Sequence, residues 1–217
     1  MLGGFNKRHK LIAMGIYNDF IIPHVINIVM RAPMAKSERP GVVGSARGKV
    51  LEIGMGPGFN LPFYGPDVSQ ILAVEPSKIL INKALGRAKK LGINLSIAGH
   101  DAMEMEIEDN SIDTVVVTWV LCSIPEPEKA ISEMLRVLKP DGRLLFIEHG
   151  LADAPTTARW QNRLNRPWRC CAGGCNINRK PDDLLEKGGF VFEKLEKGFA
   201  DGPKLLSFEY KGVARPN

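Results

Sequence analysis

The run Val50-Leu51-Glu52-Ile53-Gly54-Met55-Gly56-Pro57-Gly58-Phe59-Asn60 constrains this chain more than any other stretch. A mostly apolar lead-in meets three glycines at every second position, the pattern of a buried strand breaking into a turn that opens a helix from about Asn60. Glycine takes positive φ without strain and lets a ligand approach where a Cβ would collide, so the turn predicts close main-chain contact with a bound molecule. A second apolar run, Ile71-Leu72-Ala73-Val74, closes on Glu75-Pro76-Ser77. That places an acid about twenty residues after the first glycine, the spacing at which a carboxylate reaches the hydroxyls of a ribose.

The glycine spacing separates two kinds of ribose-bearing ligand. Dinucleotide folds use G-x-G-x-x-G, whereas Gly54, Gly56 and Gly58 form the compressed G-x-G-x-G, preceded by Glu52. An acid, this loop, and an acid closing the next strand resemble the first two motifs of the class I S-adenosylmethionine-dependent methyltransferases. Gly99-His100-Asp101-Ala102, Asp113-Thr114-Val115-Val116-Val117 and Leu138-Lys139-Pro140-Asp141-Gly142-Arg143-Leu144 extend the resemblance, with Asp141 standing where the family has a glycine. It implies S-adenosylmethionine as cofactor, S-adenosylhomocysteine as product, and contacts from Glu52, Gly54, Gly56, Gly58, Asn60, Glu75, Pro76, Asp101, Ala102 and Val120. Two of these keep a second reading. Glu52 holds the cofactor's amino group or satisfies loop amides, and Asn60 meets the methionine moiety or caps the helix beginning there.

Strand and helix patterns alternate from residue 50 onward: strand 50–54, helix from Asn60, strand 71–75, helix 77–91, strands 95–99 and 113–121, helix 127–138 and strand 143–148. Such alternation means right-handed βαβ crossovers and a parallel sheet. Residues 151–180 hold no strand pattern. Pro181 to Lys187 read as a short helix, and 190–195 with 205–214 as a closing antiparallel hairpin around Asp201-Gly202-Pro203. The expected fold is α/β, Rossmann-like, with a seven-stranded, mostly parallel sheet and that C-terminal hairpin. Residues 1–47 precede the domain as a lid or cap: residues 5–32 carry Ile12, Ile16, Phe20, Ile21, Val25, Ile28 and Val29 near helical spacing, interrupted at Pro23, and a polar linker runs from Ser37 to Gly48. Residues 48–217 form the cofactor-binding domain, with 151–180 an insertion on the acceptor side.

Ligands of open α/β sheets bind beyond the carboxyl ends of the strands, which singles out Trp119, Val120, Cys122 and Ser123 on one side and Glu148, His149 and Gly150 on the other. Methyl transfer requires alignment of the nucleophile and, for some acceptors, removal of a proton. His149 is the histidine placed for that work, as base or acceptor-orienting residue, and a histidine merely hydrogen-bonded under the cap is the competing reading. Trp119, Cys122, Trp160, Trp168 and Cys175 are the candidate acceptor-pocket wall. Cys170-Cys171-Ala172-Gly173-Gly174-Cys175 does not make the paired C-x-x-C knuckles of a zinc site, so no metal is expected.

The runs Val115 to Ile124, Phe146-Ile147-Glu148-His149, and Trp160 through Pro167-Trp168 to Gly174-Cys175-Asn176 are similar to the methyltransferase-like thiol S-methyltransferases. Leu51 to Gly54 with Asn60-Leu61-Pro62-Phe63-Tyr64 also resembles phosphatidylethanolamine N-methyltransferases and ubiquinone/menaquinone C-methyltransferases. These resemblances imply a small hydrophobic acceptor, an alkyl thiol first, with a phospholipid or quinone precursor as alternative and an inactive cofactor-binding partner subunit as the non-enzyme reading.

The 217 residues suffice for one α/β core without disulfides. Four cysteines, three of them crowded into 170–175, suit a reducing, cytoplasmic setting. No stretch of 18 uninterrupted apolar residues occurs, so membrane association is expected to be peripheral at most. Segment 154–181 has Arg159, Arg163, Arg166, Arg169, Arg179 and Lys180 with no acid, either a solvated face or a contact for anionic lipid headgroups. Few aromatics and no RNA-binding module argue against nucleic acid. The sequence carries no signal for oligomeric state.

Overall fold

The computed structural model describes residues 20–31 and 33–217, with 33–36 as backbone only. The predicted positions Ile12 and Ile16 lie outside the described residues. Helices α1 (Ile22–Val29) and α2 (Pro33–Val43) come first. Then follow β1 (Gly48–Ile53), a 3-10 turn (Leu61–Phe63), β2 (Val68–Val74), α3 (Lys78–Leu91), β3 (Leu95–Gly99), β4 (Ile112–Thr118), α4 (Pro127–Val137) and β5 (Leu138–His149). The chain closes with α5 (Pro155–Cys171), α6 (Pro181–Lys187), β6 (Phe190–Phe199) and β7 (Phe208–Pro216).

All strands join one seven-stranded sheet in the order β3-β2-β1-β4-β5-β7-β6. The first five run parallel, and β7 is antiparallel to both neighbours, β5 and β6. The central strands are buried on both faces, which is why they read as continuous apolar runs instead of alternating ones. Leu51, Ile53, Val115, Val117, Leu144 and Phe146 face a core closed by Ile131, Met134 and Leu185. On the other face Val50, Ala73, Val116, Leu145 and Ile147 pack with Val43, Leu61 and Ala84. The ends of α3 follow their sequence signals: Ser77 Oγ accepts from the Leu80 amide, and Gly92 closes the helix at φ +68°.

Three local expectations are corrected. The helix expected from Asn60 is only the 3-10 turn Leu61–Phe63. Pro62 sits in its first turn and Gly65-Pro66 follows, so the chain cannot propagate an α-helix there. The expected linker from Ser37 begins as helix, since α2 continues through Pro40 to Val43 and buries Val42 and Val43. Tertiary burial outweighs the cost of Pro40. The expected turn at Pro140-Asp141-Gly142 lies inside β5, where the register against β4 jumps between Ile112 and Thr114. Residues 151–180, expected to lack strands, supply the 17-residue helix α5.

Candidate functional site

Two clusters lie at the carboxyl ends of the parallel strands. In the loop after β1, Gly54, Gly56 and Gly58 have φ of +63°, +58° and +74°. A single reason was expected for all three, and the structure divides it. A Cβ on Gly54 would lie 2.2 Å from Val120 Cγ2, and one on Gly58 would lie 2.8 Å from Leu61 Cδ1 and 3.1 Å from Ala84 Cα. These two are needed for packing. Above Gly56 the nearest atom is the Gly54 carbonyl oxygen at 4.0 Å, so this glycine alone faces open space. Its amide donates to Glu75 Oε2 at 2.8 Å, while Glu75 Oε1 accepts from the Ser77 amide at 2.9 Å. Burial pushes the Glu75 carboxyl above its ordinary pKa, and the two amides pull it back.

Glu52 and Asn60 belong to one buried network. Asn60 Nδ2 donates to Glu52 Oε1 at 2.8 Å and to Thr118 Oγ1 at 3.0 Å, Tyr64 Oη donates to Glu52 Oε2 at 2.7 Å, and Arg39 Nε donates to Asn60 Oδ1 at 2.8 Å. Asn60 makes no capping bond, so the cap reading does not hold, and its side chain is taken up by Glu52, Thr118 and Arg39. Burial raises Glu52 to about 7, against the bonds from Tyr64 and Asn60 and the charge of Arg39. The Arg39 guanidinium lies 5.6 Å from the Phe59 ring centre and 5.0 Å from that of Trp119. Arg39 and Thr118 were not anticipated. Arg39 hides in an apparently polar linker, and the only sequence signal near the network was Tyr64, at the end of the Asn60 to Tyr64 run.

The remaining sequence-predicted cofactor positions stand apart from this network. Pro76 is exposed, Ala102 is half-buried, and Asp101 is exposed, with Oδ1 accepting from the Met103 amide at 2.8 Å. His100 Nδ1 lies 3.0 Å from the Glu75 carbonyl oxygen, on the same side of the sheet edge.

The second cluster gathers at the ends of β4 and β5. Trp119 leaves β4 at φ +53°, a conformation rarely taken by a bulky residue, with its amide on the Ile147 carbonyl at 2.7 Å and its indole on Glu209 Oε1 at 3.1 Å. The next two amides, of Val120 and Leu121, donate to Glu148 Oε1 at 2.7 and 3.1 Å. Burial lifts Glu148 to about 7 against those amide bonds.

Two amide side chains fix the 151–180 segment onto this end of the sheet. Gln161, fully buried, accepts from the Ala152 amide and donates to the carbonyls of Gly150 and Leu205. Asn176 donates from its backbone amide and its Nδ2 to the Cys122 carbonyl, at 2.8 and 2.9 Å. Arg179 adds bonds to the carbonyls of Leu121 and Ile124. It is therefore structural, whereas Arg159, Arg163, Arg166 and Arg169 are exposed along α5.

As a result, Cys175 meets residues distant in sequence. Its Sγ lies 3.3 Å from His149 Nε2 and accepts from Trp168 Nε1 at 3.4 Å. Cys122 Sγ completes the group, in which the ligand atoms of Cys122, His149 and Cys175 all lie within 4.8 Å of one another. A hydrogen bond with Cys122, then burial, push the Cys175 thiol far above the ordinary thiol range, and His149 opposes them. Burial disfavours the His149 imidazolium, yet Cys175, Glu148 and Glu209 together raise its pKa above the usual value. Among the expected wall residues, Cys122, Trp168 and Cys175 converge here, whereas Trp119 meets Cys122 Sγ only through its backbone carbonyl at 3.8 Å and turns its indole to Glu209 and Arg39. Trp160 is 50% exposed on α5, and Cys170 and Cys171 are exposed, so these three are not brought into the cluster.

The chain is similar to known proteins in sequence and in fold. A family model described as "Methyltransferase domain" matches residues 51–146. The human thiol S-methyltransferase TMT1B is 31% identical over a stretch covering 74% of this chain and 68% of that protein. The human thiol S-methyltransferase TMT1A is 32% identical, covering 70% of this chain, and the match spans only 64% of that relative's length. A phosphatidylethanolamine N-methyltransferase of Cereibacter sphaeroides is 30% identical over 57% of this chain and 62% of its own. In fold, the N-methyltransferase NodS from Bradyrhizobium japonicum, solved with S-adenosyl-L-homocysteine, superposes with a TM-score of 0.66 at 16% identity, covering 85% of this chain and 88% of that one.

Proposed function

Because the chain belongs to the S-adenosylmethionine-dependent methyltransferases, we propose that it transfers the sulfonium methyl group of that cofactor to a small hydrophobic acceptor, an alkyl thiol. The cluster at the ends of β4 and β5 carries the acceptor assignment. One tryptophan, two thiols and one imidazole offer a soft surface with a single titratable nitrogen, which suits a thiol better than a phosphorylated headgroup. The likeness to thiol S-methyltransferases, at 31–32% identity over 70–74% of this chain, supports the same reading.

The residues present fit the donor. Only Gly56 leaves room for close approach to the main chain, and it does so beside a buried carboxylate at the end of β2. Gly56 and Glu75 would hold the ribose side, with Pro76, Asp101 and Ala102 toward the base. Glu52, Asn60 and the packed glycines Gly54 and Gly58 would shape the methionine side, with Val120 between the two substrates. The bound cofactor supplies a methyl carbon already activated by positive sulfur. What the chain adds is alignment and exclusion of water. His149 Nε2 orients the acceptor sulfur or takes its proton, a modest demand because a free thiol with pKa of about 8.5 already supplies some thiolate.

Of the segment 1–47, the described part from residue 20 acts as a lid over the domain formed by 48–217, and 151–180 act as the acceptor-side cap. Ile22 of α1 supports this, since a Cβ on Gly173 would lie 2.8 Å from its Cγ2 and the helix start therefore rests on the cap turn. Among the described residues no helix is long and apolar enough to cross a membrane.

The test is transfer of labelled methyl to panels of alkyl thiols, phosphatidylethanolamine and quinol precursors. A methyl thioether should form, and Gly56→Arg or Glu75→Ala should abolish it. Labelled lipid or quinol without labelled thiol would replace the acceptor assignment. Cofactor binding with no product from any panel would point to the inactive partner subunit.

A further inference from the structure

Cys122, His149 and Cys175 come from the end of β4, the end of β5 and the turn after α5, and no local spacing connects them. Their ligand atoms nonetheless lie within 4.8 Å of one another, with 3.3 Å between His149 Nε2 and Cys175 Sγ. A tetrahedral zinc ion, with Zn–S of about 2.3 Å and Zn–N of about 2.0–2.1 Å, sets its ligand atoms about 3.5–3.8 Å apart. The three groups therefore need to move by about an ångström or less to surround such an ion.

We propose that Cys122, His149 and Cys175 form a thiophilic metal site that takes Zn²⁺ with three protein ligands and one open position.

Four observations converge on this assignment. Two sulfurs and one imidazole nitrogen are a borderline-soft set, which selects zinc over magnesium or calcium. Two thiolates balance the charge of a divalent ion, so the ligand set with its metal adds no net charge to a buried location. Trp168 Nε1 already donates to Cys175 Sγ at 3.4 Å, the kind of outer contact that steadies a metal-bound thiolate. The backbone on both sides is fixed: Asn176 holds the Cys122 carbonyl, and Arg179 holds the carbonyls of Leu121 and Ile124. Cys170 and Cys171, by contrast, are exposed.

Binding releases two thiol protons, one each from Cys122 and Cys175, and forms two metal–sulfur bonds and one metal–nitrogen bond. Three protein ligands are the signature of an open site and not of a closed structural one. Resting on the thiol reading, the open position is where an acceptor thiol would bind as thiolate after losing its proton to water. His149 is then an orienting ligand. The expectation of no metal considered only cysteines close in sequence, and the fold supplies a different set.

The experiment uses the full, tag-free chain purified with a non-chelating reductant. Metal analysis should return one zinc per chain. Replacement by Co²⁺ should give thiolate-to-metal charge-transfer absorption and tetrahedral d–d bands. Cys122→Ser, His149→Gln and Cys175→Ser should each weaken zinc binding by more than about 100-fold, beyond the about 10–100-fold expected for removal of an outer contact in Trp168→Phe. Cys170→Ser and Cys171→Ser should leave binding unchanged. Zinc below stoichiometry, cobalt spectra without thiolate bands, or retention of the metal in Cys175→Ser would overturn the site. The cobalt spectrum of the unaltered chain decides the matter even where a variant fails to fold. Addition of an alkyl thiol should shift the d–d bands. A cobalt site that forms but does not respond to thiol leaves the metal in place and removes the thiol from the open position.

Discussion

Asn60 Nδ2 donates to Glu52 Oε1 at 2.8 Å, and the Oδ1 of the same amide accepts from Arg39 at 2.8 Å, so one asparagine connects a buried acid to a buried base. The charge on that acid sets a pH dependence. Burial raises Glu52 to about 7 in the folded chain, whereas unfolding returns it to the ordinary carboxylate value. A raised folded pKa stabilises fully below the unfolded value, and that stabilisation is lost as pH rises through the folded one. Tm should fall between about pH 4.5 and pH 7–8, with a contribution from this residue of about 3 kcal/mol. In Glu52→Gln the slope should flatten, giving a variant close to the unaltered chain at pH 5 and more stable than it at pH 8. Melts across that range compare the two directly.

Gly56→Ala and Gly58→Ala should fail in different ways. Both positions have positive φ, which costs about 1–2 kcal/mol for a residue with a Cβ. Only at Gly58 does the added carbon also strike Leu61 and Ala84. Urea unfolding should therefore rank Gly58→Ala as the less stable. Calorimetry with S-adenosylhomocysteine should show Gly56→Ala folded but with affinity reduced at least about tenfold, equivalent to about 1.4 kcal/mol.

Arg39→Lys should not rescue Arg39→Ala. The guanidinium lies over the rings of Phe59 and Trp119 while its Nε bonds to Asn60, a planar arrangement that an ammonium cannot reproduce. Both variants should lose cofactor affinity to a similar extent, measured by the same calorimetry. Full recovery in the lysine variant would contradict this role.

Gln161→Ala should destabilise the chain by about 2–4 kcal/mol, because it leaves the Ala152 amide and the carbonyls of Gly150 and Leu205 buried without their partner. Hydrogen exchange should show the loss concentrated in α5 and the following turn, with the β1–β4 core unchanged.

The sheet was legible because its central strands are buried on both faces and bounded by strong punctuation: Ser77, Gly92, Pro127 and the glycine loop. Glu52, Asn60 and Tyr64 could be recognised as a group because they are close in sequence. Arg39 could not, since Pro40 and Gly41 make its helix look like a linker, and its contacts with Asn60, Phe59 and Trp119 are tertiary. The meeting of Cys122, His149 and Cys175 was hidden for the same reason. Nothing in the local order of residues 170–175 says that Cys175 turns inward while Cys170 and Cys171 face solvent; Asn176, bonded to the Cys122 carbonyl, makes that choice.

Val120 has its amide on Glu148 Oε1, at the end of β5, and its Cγ2 against the bare Cα of Gly54, in the loop after β1. There is no play between the two halves at this point. A displacement of the β4 end is felt by the glycine loop through a single methyl group, and the reverse holds equally, as any coupling of two binding equilibria must. The absent side chain of Gly54 is thus a dimension of the molecule: it fixes how closely the glycine loop and the end of β4 are set against each other.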